Sequence, residues 1–166
     1  MYKRQHQFNE IKNLVPNSFQ QSFVHGDLNG ANVLIDGQNN TWIIDFFHTK
    51  QGHILQDLTK FENDLLFIWT KCTNKKEFEE NKSLLDKLLM INDLQNFSIS
   101  LEEVEHLPQR LHKAIHTINY LRTFYAQLIN LDRDPLQYKI SALRYAVHTI
   151  SFEECNNWQK KLAIYF

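Results

Sequence analysis

Apolar residues recur along this chain in two rhythms, and one gives way to the other at Gly52. Before it, short β-branched and aromatic runs alternate with polar turns. Ser22-Phe23-Val24, Asn32-Val33-Leu34-Ile35-Asp36 and Thr41-Trp42-Ile43-Ile44-Asp45-Phe46 read as short strands, the second of them buried. The turn-forming run Gly37-Gln38-Asn39-Asn40 joins the last two into a hairpin with polar residues at its ends. After Gly52, glycine disappears and apolar residues return at helical spacing. Leu58, Phe61, Leu65 and Trp69 predict a helix from about Gln56 to Thr70, and Phe78, Leu85, Leu88 and Leu89 predict one from about Lys75 to Met90. Leu107, Leu111, Ile115, Ile118, Leu121, Tyr125 and Leu128 predict a third between Leu101 and Asn130, with Pro108 as a kink or as its true start. Asp134-Pro135 opens a fourth, a capping residue followed by proline, and Ser151-Phe152-Glu153-Glu154 has capping-box spacing for a fifth. The fold class these elements predict is α+β, mostly helical, with a small hairpin set on a helical bundle.

Composition narrows the function. The 166 residues suit one domain, 1–166, and the 43% hydrophobic and 22% charged content is that of a folded core rather than a disordered chain. A net charge of -1 with no lysine/arginine block argues against a nucleic-acid partner. No apolar run approaches the length of a membrane span, and the start Met1-Tyr2-Lys3-Arg4-Gln5-His6 has no apolar leader core, so a cytoplasmic protein is expected. Cys72 and Cys155 lie far apart with no metal-ligand spacing and read as free thiols.

All four glycines, Gly26, Gly30, Gly37 and Gly52, fall in the strand-and-turn region, where candidate chemistry also concentrates. His25-Gly26-Asp27-Leu28-Asn29-Gly30-Ala31-Asn32 sets a carboxylate and an amide at the two ends of a loop. Asp45 follows the next strand, so the hairpin folds it back beside Asn32 and lets Asp27, Asn32 and Asp45 converge. Phosphoryl transfer needs such a set: a carboxylate to orient and deprotonate the attacking hydroxyl, and oxygen ligands to hold magnesium on the phosphates. The plainer alternative is a set of turn-forming Asp and Asn residues at strand ends.

His25-Gly26-Asp27 with Asn32, followed by Ile44-Asp45-Phe46, resembles the catalytic and metal-binding motifs of aminoglycoside phosphotransferases and, more distantly, of choline kinases and protein kinases. The resemblance runs from about Phe23 to Phe61 and implies the C-lobe of a protein-kinase-like fold. Catalytic and metal-binding loops then occupy 22–61 and a helical subdomain 62–166. It makes Asp27 the catalytic base, Asn32 and Asp45 the ligands of Mg2+, and His25 a structural support of the loop. Gly52 and Asp57-Leu58 are similar to the family's Gly-x-x-x-x-Asp-Leu segment, whose Asp braces the catalytic loop and starts a helix. Phe47 stands where protein kinases have glycine, which favours the small-molecule enzymes. The implied activity is transfer of the γ-phosphoryl group of ATP to a hydroxyl of a small molecule or other acceptor.

The stretch before Gly26 contains no glycine, and Lys3 and Lys12 read as part of a short helix, so the family's glycine-rich loop and lysine strand are not evident. The N-lobe is therefore expected from another chain or an upstream domain, and an apolar patch should lie exposed beside the site. The alternative function is a catalytically inactive kinase-like binding or regulatory module that needs a partner. Other features read more plainly. His112 and His116, with Glu105 and His106 nearby, read as a solvated helix face rather than a zinc site, and Lys71, Lys75 and Lys76 as a solvated helix start. Phe61, Phe67, Trp69 and Phe78 read as core.

Overall fold

The computed structural model describes residues 20–90, 92–129 and 132–166; Lys3, Lys12 and the short helix expected around them lie outside that range. The chain is α+β and mostly helical, with two small antiparallel sheets. Strand β1 (Gln21–Val24) pairs with β4 (Lys50–His53), Phe23 opposite Gln51. Strand β2 (Val33–Ile35) pairs with β3 (Thr41–Ile43), Leu34 opposite Trp42. The sequence Lys-Gln-Gly-His of β4 carries no apolar alternation, and β1 supplies the ladder that makes it a strand.

Three expectations for this region are corrected. β3 ends at Ile43 because Asp45 adopts a left-handed φ of 63° and Phe46–His48 close into a 3-10 turn. Asn32 itself ends a 3-10 turn over Gly30–Asn32 rather than starting the strand. And β2 is not buried, since Leu34 and Ile35 are exposed on a ribbon of only two strands.

The hairpin turn is organised by Asp36. Its carboxylate accepts from the Gln38 and Asn40 backbone N–H groups (2.8 and 2.9 Å), from Asn40 Nδ2 (2.9 Å) and from Trp42 Nε1 (3.1 Å). Asn39, not Gly37, takes the positive φ of 62°. These bonds, the Asn40 side chain's first among them, lower the Asp36 pKa from 3.8 to about 2. A depressed carboxylate stabilises the fold above its unfolded pKa, and that contribution is lost as pH falls through about 2. Carboxyl NMR should show Asp36 titrating near 2 in the folded chain, and Asn40→Ala should move the midpoint up toward 3.8. A midpoint already at 3.8 would contradict this network.

The helices are α1 (Gln56–Asp64), α2 (Lys75–Leu89), a single turn α3 (Leu101–Val104), α4 (Gln109–Leu128), α5 (Leu136–Thr149) and α6 (Asn157–Tyr165). The helix expected to run to Thr70 changes after Asp64 into a π turn, Leu65–Trp69, where the Thr70 hydroxyl bonds to the Leu65 carbonyl. Pro108 is the true start of α4. Asp134 Oδ1 accepts from Leu136 N at 2.8 Å at the start of α5. The expected box at Ser151 does not form, because the Ser151 hydroxyl bonds to His148 O and closes α5. α6 starts instead at Asn156, whose side chain and that of Gln159 cap each other's backbone.

Apolar side chains form two clusters. The larger joins Leu65, Leu66 and Phe67 to α2, α4 and α6 through Leu84, Leu88, Leu111, Ile115 and Leu162. The smaller gathers Leu55, Leu94, Phe97, Tyr125, Tyr138 and Ala142. Helix α1 packs on α5, and its most buried residues are polar: Gln56, Thr59, Lys60, Glu62, Asn63 and Asp64. The apolar stripe expected to bury this helix is covered less, with Leu58 and Phe61 half-buried and Trp69 exposed. Polar side chains occupy the inside because each finds a partner there: Lys60 with Asp64, Asn63 with Thr149 and Glu62 with Arg122. Cys72 and Cys155 are free and buried. Among the described residues no helix is long and apolar enough to cross a membrane.

Candidate functional site

The loop after β1 is fixed from below by α1. Asp57, in the first turn of that helix, accepts from His25 N at 2.6 Å and from Gly26 N at 2.9 Å. Gly26 has φ 88°, and a side-chain carbon there would meet His48 O at 2.2 Å, so glycine is required both by conformation and by space. His25 is buried, and its Nε2 lies 2.8 Å from Ile44 O. A carbonyl only accepts, so that nitrogen carries a proton, and the buried Nδ1 has no partner among the described residues.

A second set of bonds ties this loop to the hairpin. Asn32 Nδ2 donates to Asp27 O at 2.9 Å, while Asn32 O accepts from Ile44 N at 3.0 Å. Ile44 is thereby held between His25 and Asn32, and Asp45 follows it directly. The left-handed turn at Asp45 leaves its side chain exposed and without a cap bond to the turn that follows. Asn32 is buried, and its Oδ1 makes no hydrogen bond among the described residues. The carboxylate of Asp27 is 41% exposed and sits 4.0 Å from Lys60 Nζ. Asn29 Nδ2 braces Asp27 through its backbone carbonyl at 3.1 Å.

Lys60 and Asp64 belong to this site although they lie outside the motifs. The Lys60 ammonium is buried and bonds both oxygens of Asp64, at 2.9 and 2.8 Å. Burial raises the Asp64 pKa against the pull of Lys60. Two clefts meet at Asp27, Lys60 and His148. One, of about 450 Å³, adds His48, Lys50 and Arg144, with the Tyr145 phenol, pushed up to about 12 by burial, in its wall. The other, of about 350 Å³, adds Asp64, Trp69 and Glu154. Trp69 packs edge-on against Phe61 and closely over Gly30, where an added side-chain carbon would fall 1.8 Å from the indole. It is a cleft wall rather than core.

The strand-and-turn region that carries Asp45 exposes several large apolar side chains. Phe47 is 88% and Phe23 76% exposed, with Ile35, Trp42, Ile44 and Phe46 also open. The other features read from the sequence lie elsewhere. His112 Nε2 meets Leu107 O at 3.0 Å, and among the described residues no group of three His, Cys, Asp or Glu side chains could hold a metal ion. Lys71 and Lys76 pair with Glu77 and Glu80.

Residues 6–151 match the ternary complex associated domain 9 family. That span covers most of the chain, which therefore belongs to this family. Neither a curated protein nor a solved structure matches it.

Proposed function

We propose that this chain is the catalytic lower lobe of a kinase-like phosphotransferase that moves the γ-phosphoryl group of ATP to an acceptor hydroxyl. The observation that carries this reading is the double clamp on Ile44, which ties the ends of the His25–Asn32 loop to Asp45. The Asn32 O–Ile44 N bond continues the β2–β3 ladder, so the part of the clamp that hairpin pairing alone does not explain is the buried His25 ring reaching Ile44 O from the other end of the loop. The acceptor oxygen attacks the γ-phosphorus, Asp27 takes the hydroxyl proton, and the bond to the β,γ-bridging oxygen breaks, with its electron pair leaving on ADP. His25 and Asp57 hold the loop in place and touch neither reactant.

Magnesium, when bound, neutralises charge on the nucleotide phosphates. The donors suit it, because the exposed Asp45 carboxylate and the unengaged Asn32 Oδ1 are hard oxygen ligands. Two protein ligands leave most of an octahedral shell to water and phosphate, so the ion should bind together with ATP rather than alone. With an upper lobe fused or added in trans, calorimetry should show magnesium-dependent ATP binding weakened about tenfold or more by Asp45→Ala, the scale on which even groups that merely orient metal ligands act. Unchanged binding in that variant would remove the metal assignment and, with it, the main argument for chemistry.

The exposed apolar surface around Phe47 and Phe23 supports a nucleotide-holding N-lobe, from an upstream domain or another chain, that seats beside Asp45. The family's description as a ternary complex associated domain agrees with a protein that works in an assembly. The same surface also favours the second reading, a kinase-like module that binds a partner without turning over.

A further inference from the structure

The two clefts that meet at Asp27 differ in charge, and the difference bears on what the acceptor is. Asn32 and Asp45 line neither of them, so if those residues hold the magnesium–nucleotide complex, both clefts are open to the acceptor. In the smaller cleft Asp64 already has its counter-charge in Lys60. In the larger one Lys50, Lys60 and Arg144, with His48 and His148, surround the single carboxylate of Asp27. Lys50 and Arg144 are both exposed, and neither has an ion-pair partner among the described residues. Two exposed cations in a concave site of about 450 Å³, a volume suited to a small molecule, make an electrostatic trap for an anion.

Resting on the phosphotransferase reading, we infer that the acceptor is a small hydroxyl compound carrying a phosphate or carboxylate, with Arg144 and Lys50 holding the anionic group while Asp27 meets the hydroxyl. Arg144 presents a planar fork to such an oxyanion, and Lys50 adds a point charge from the adjacent strand. Lys60 stays with Asp64 and offsets the charge of Asp27, which would otherwise repel the ligand.

The test is an NMR titration of the full chain, following the Gly26, Asp27, Tyr145 and Val147 amides, with glycerol 3-phosphate, glycerol, choline and inorganic phosphate as probes. Glycerol 3-phosphate should bind tightest. Arg144→Ala and Lys50→Ala, both at exposed positions, should each weaken it about tenfold or more while leaving ATP–magnesium affinity unchanged. Tighter binding of choline, or glycerol 3-phosphate binding that survives both substitutions, would overturn the inference. So would inorganic phosphate binding as tightly as glycerol 3-phosphate, which would mark a bare anion site. Parallel loss of ATP–magnesium affinity in Arg144→Ala would assign the cleft to the nucleotide's own phosphates and overturn it too. Failure of the phosphotransferase reading appears separately, as Asp45→Ala without effect on ATP–magnesium.

Discussion

Glu62→Ala should destabilise the chain by about 3–5 kcal/mol, the cost of stranding a buried charge when its partner is removed. The charge left behind is Arg122, whose Nη2 and Nε bond the two Glu62 oxygens at 2.6 and 3.2 Å with both side chains almost wholly enclosed. Its remaining contacts cannot replace a carboxylate. Nη1 donates to Phe97 O at 3.0 Å, and the guanidinium lies 4.0 Å from the centre of the Phe97 ring. Tyr138 also loses its acceptor, since its hydroxyl donates to Glu62 Oε1 at 2.6 Å. Burial, then the negative charge of Glu62, raises the Tyr138 pKa, so the phenol remains a donor over ordinary pH. The pair ties α1 to α4 and α5, and Tyr125 and Tyr138 around it belong to the smaller apolar cluster. Urea unfolding should show a lower midpoint in Glu62→Ala, and Glu62→Leu with Arg122→Met should recover much of the loss, because an apolar pair of similar volume leaves no buried charge. A midpoint unchanged in Glu62→Ala would contradict the role given to this pair.

That interior shows where the sequence was readable and where it was not. Helices α2 and α4 were legible because each buries a regular apolar stripe, and the starts of α4 and α5 because Pro108 and Asp134 mark them. Helix α1 was legible in place but not in facing, since periodicity assumes that the apolar side turns inward. Here the polar side does so, because Arg122 and Thr149, distant in sequence, supply its partners. Strand β4 was invisible for a similar reason: nothing in Lys50–His53 alone favours a strand over a loop, and pairing with β1 decides it. At the site, His25, Asp27, Asn32, Asp45 and Asp57 sit in local motifs and could be named in advance. Lys60, Arg144 and His148 could not, because they reach the cleft through helix packing. One clue to Lys60 did exist. Lys60 and Asp64 stand four residues apart on the helix that Asp57 opens beneath the loop, the spacing of a helical ion pair.

Asp27→Asn should reduce phosphoryl transfer about 10²- to 10⁴-fold, the usual contribution of a positioned general base, while leaving the fold intact. The amide keeps the size of the carboxylate but cannot accept the hydroxyl proton. The Asp27 backbone carbonyl, not its side chain, takes the bond from Asn32, so the loop keeps its tie to the hairpin. Positioning and charge stabilisation supply most of the rate in this chemistry, and the chain without an upper lobe should turn over slowly even with Asp27 present. Magnesium-dependent ATP turnover, measured on the chain with an upper lobe fused or added in trans beside its Asp27→Asn counterpart, is the most direct test of the phosphotransferase reading. Turnover that rises with the lobe and is lost in Asp27→Asn is the expected result, and equal turnover in the two would contradict it.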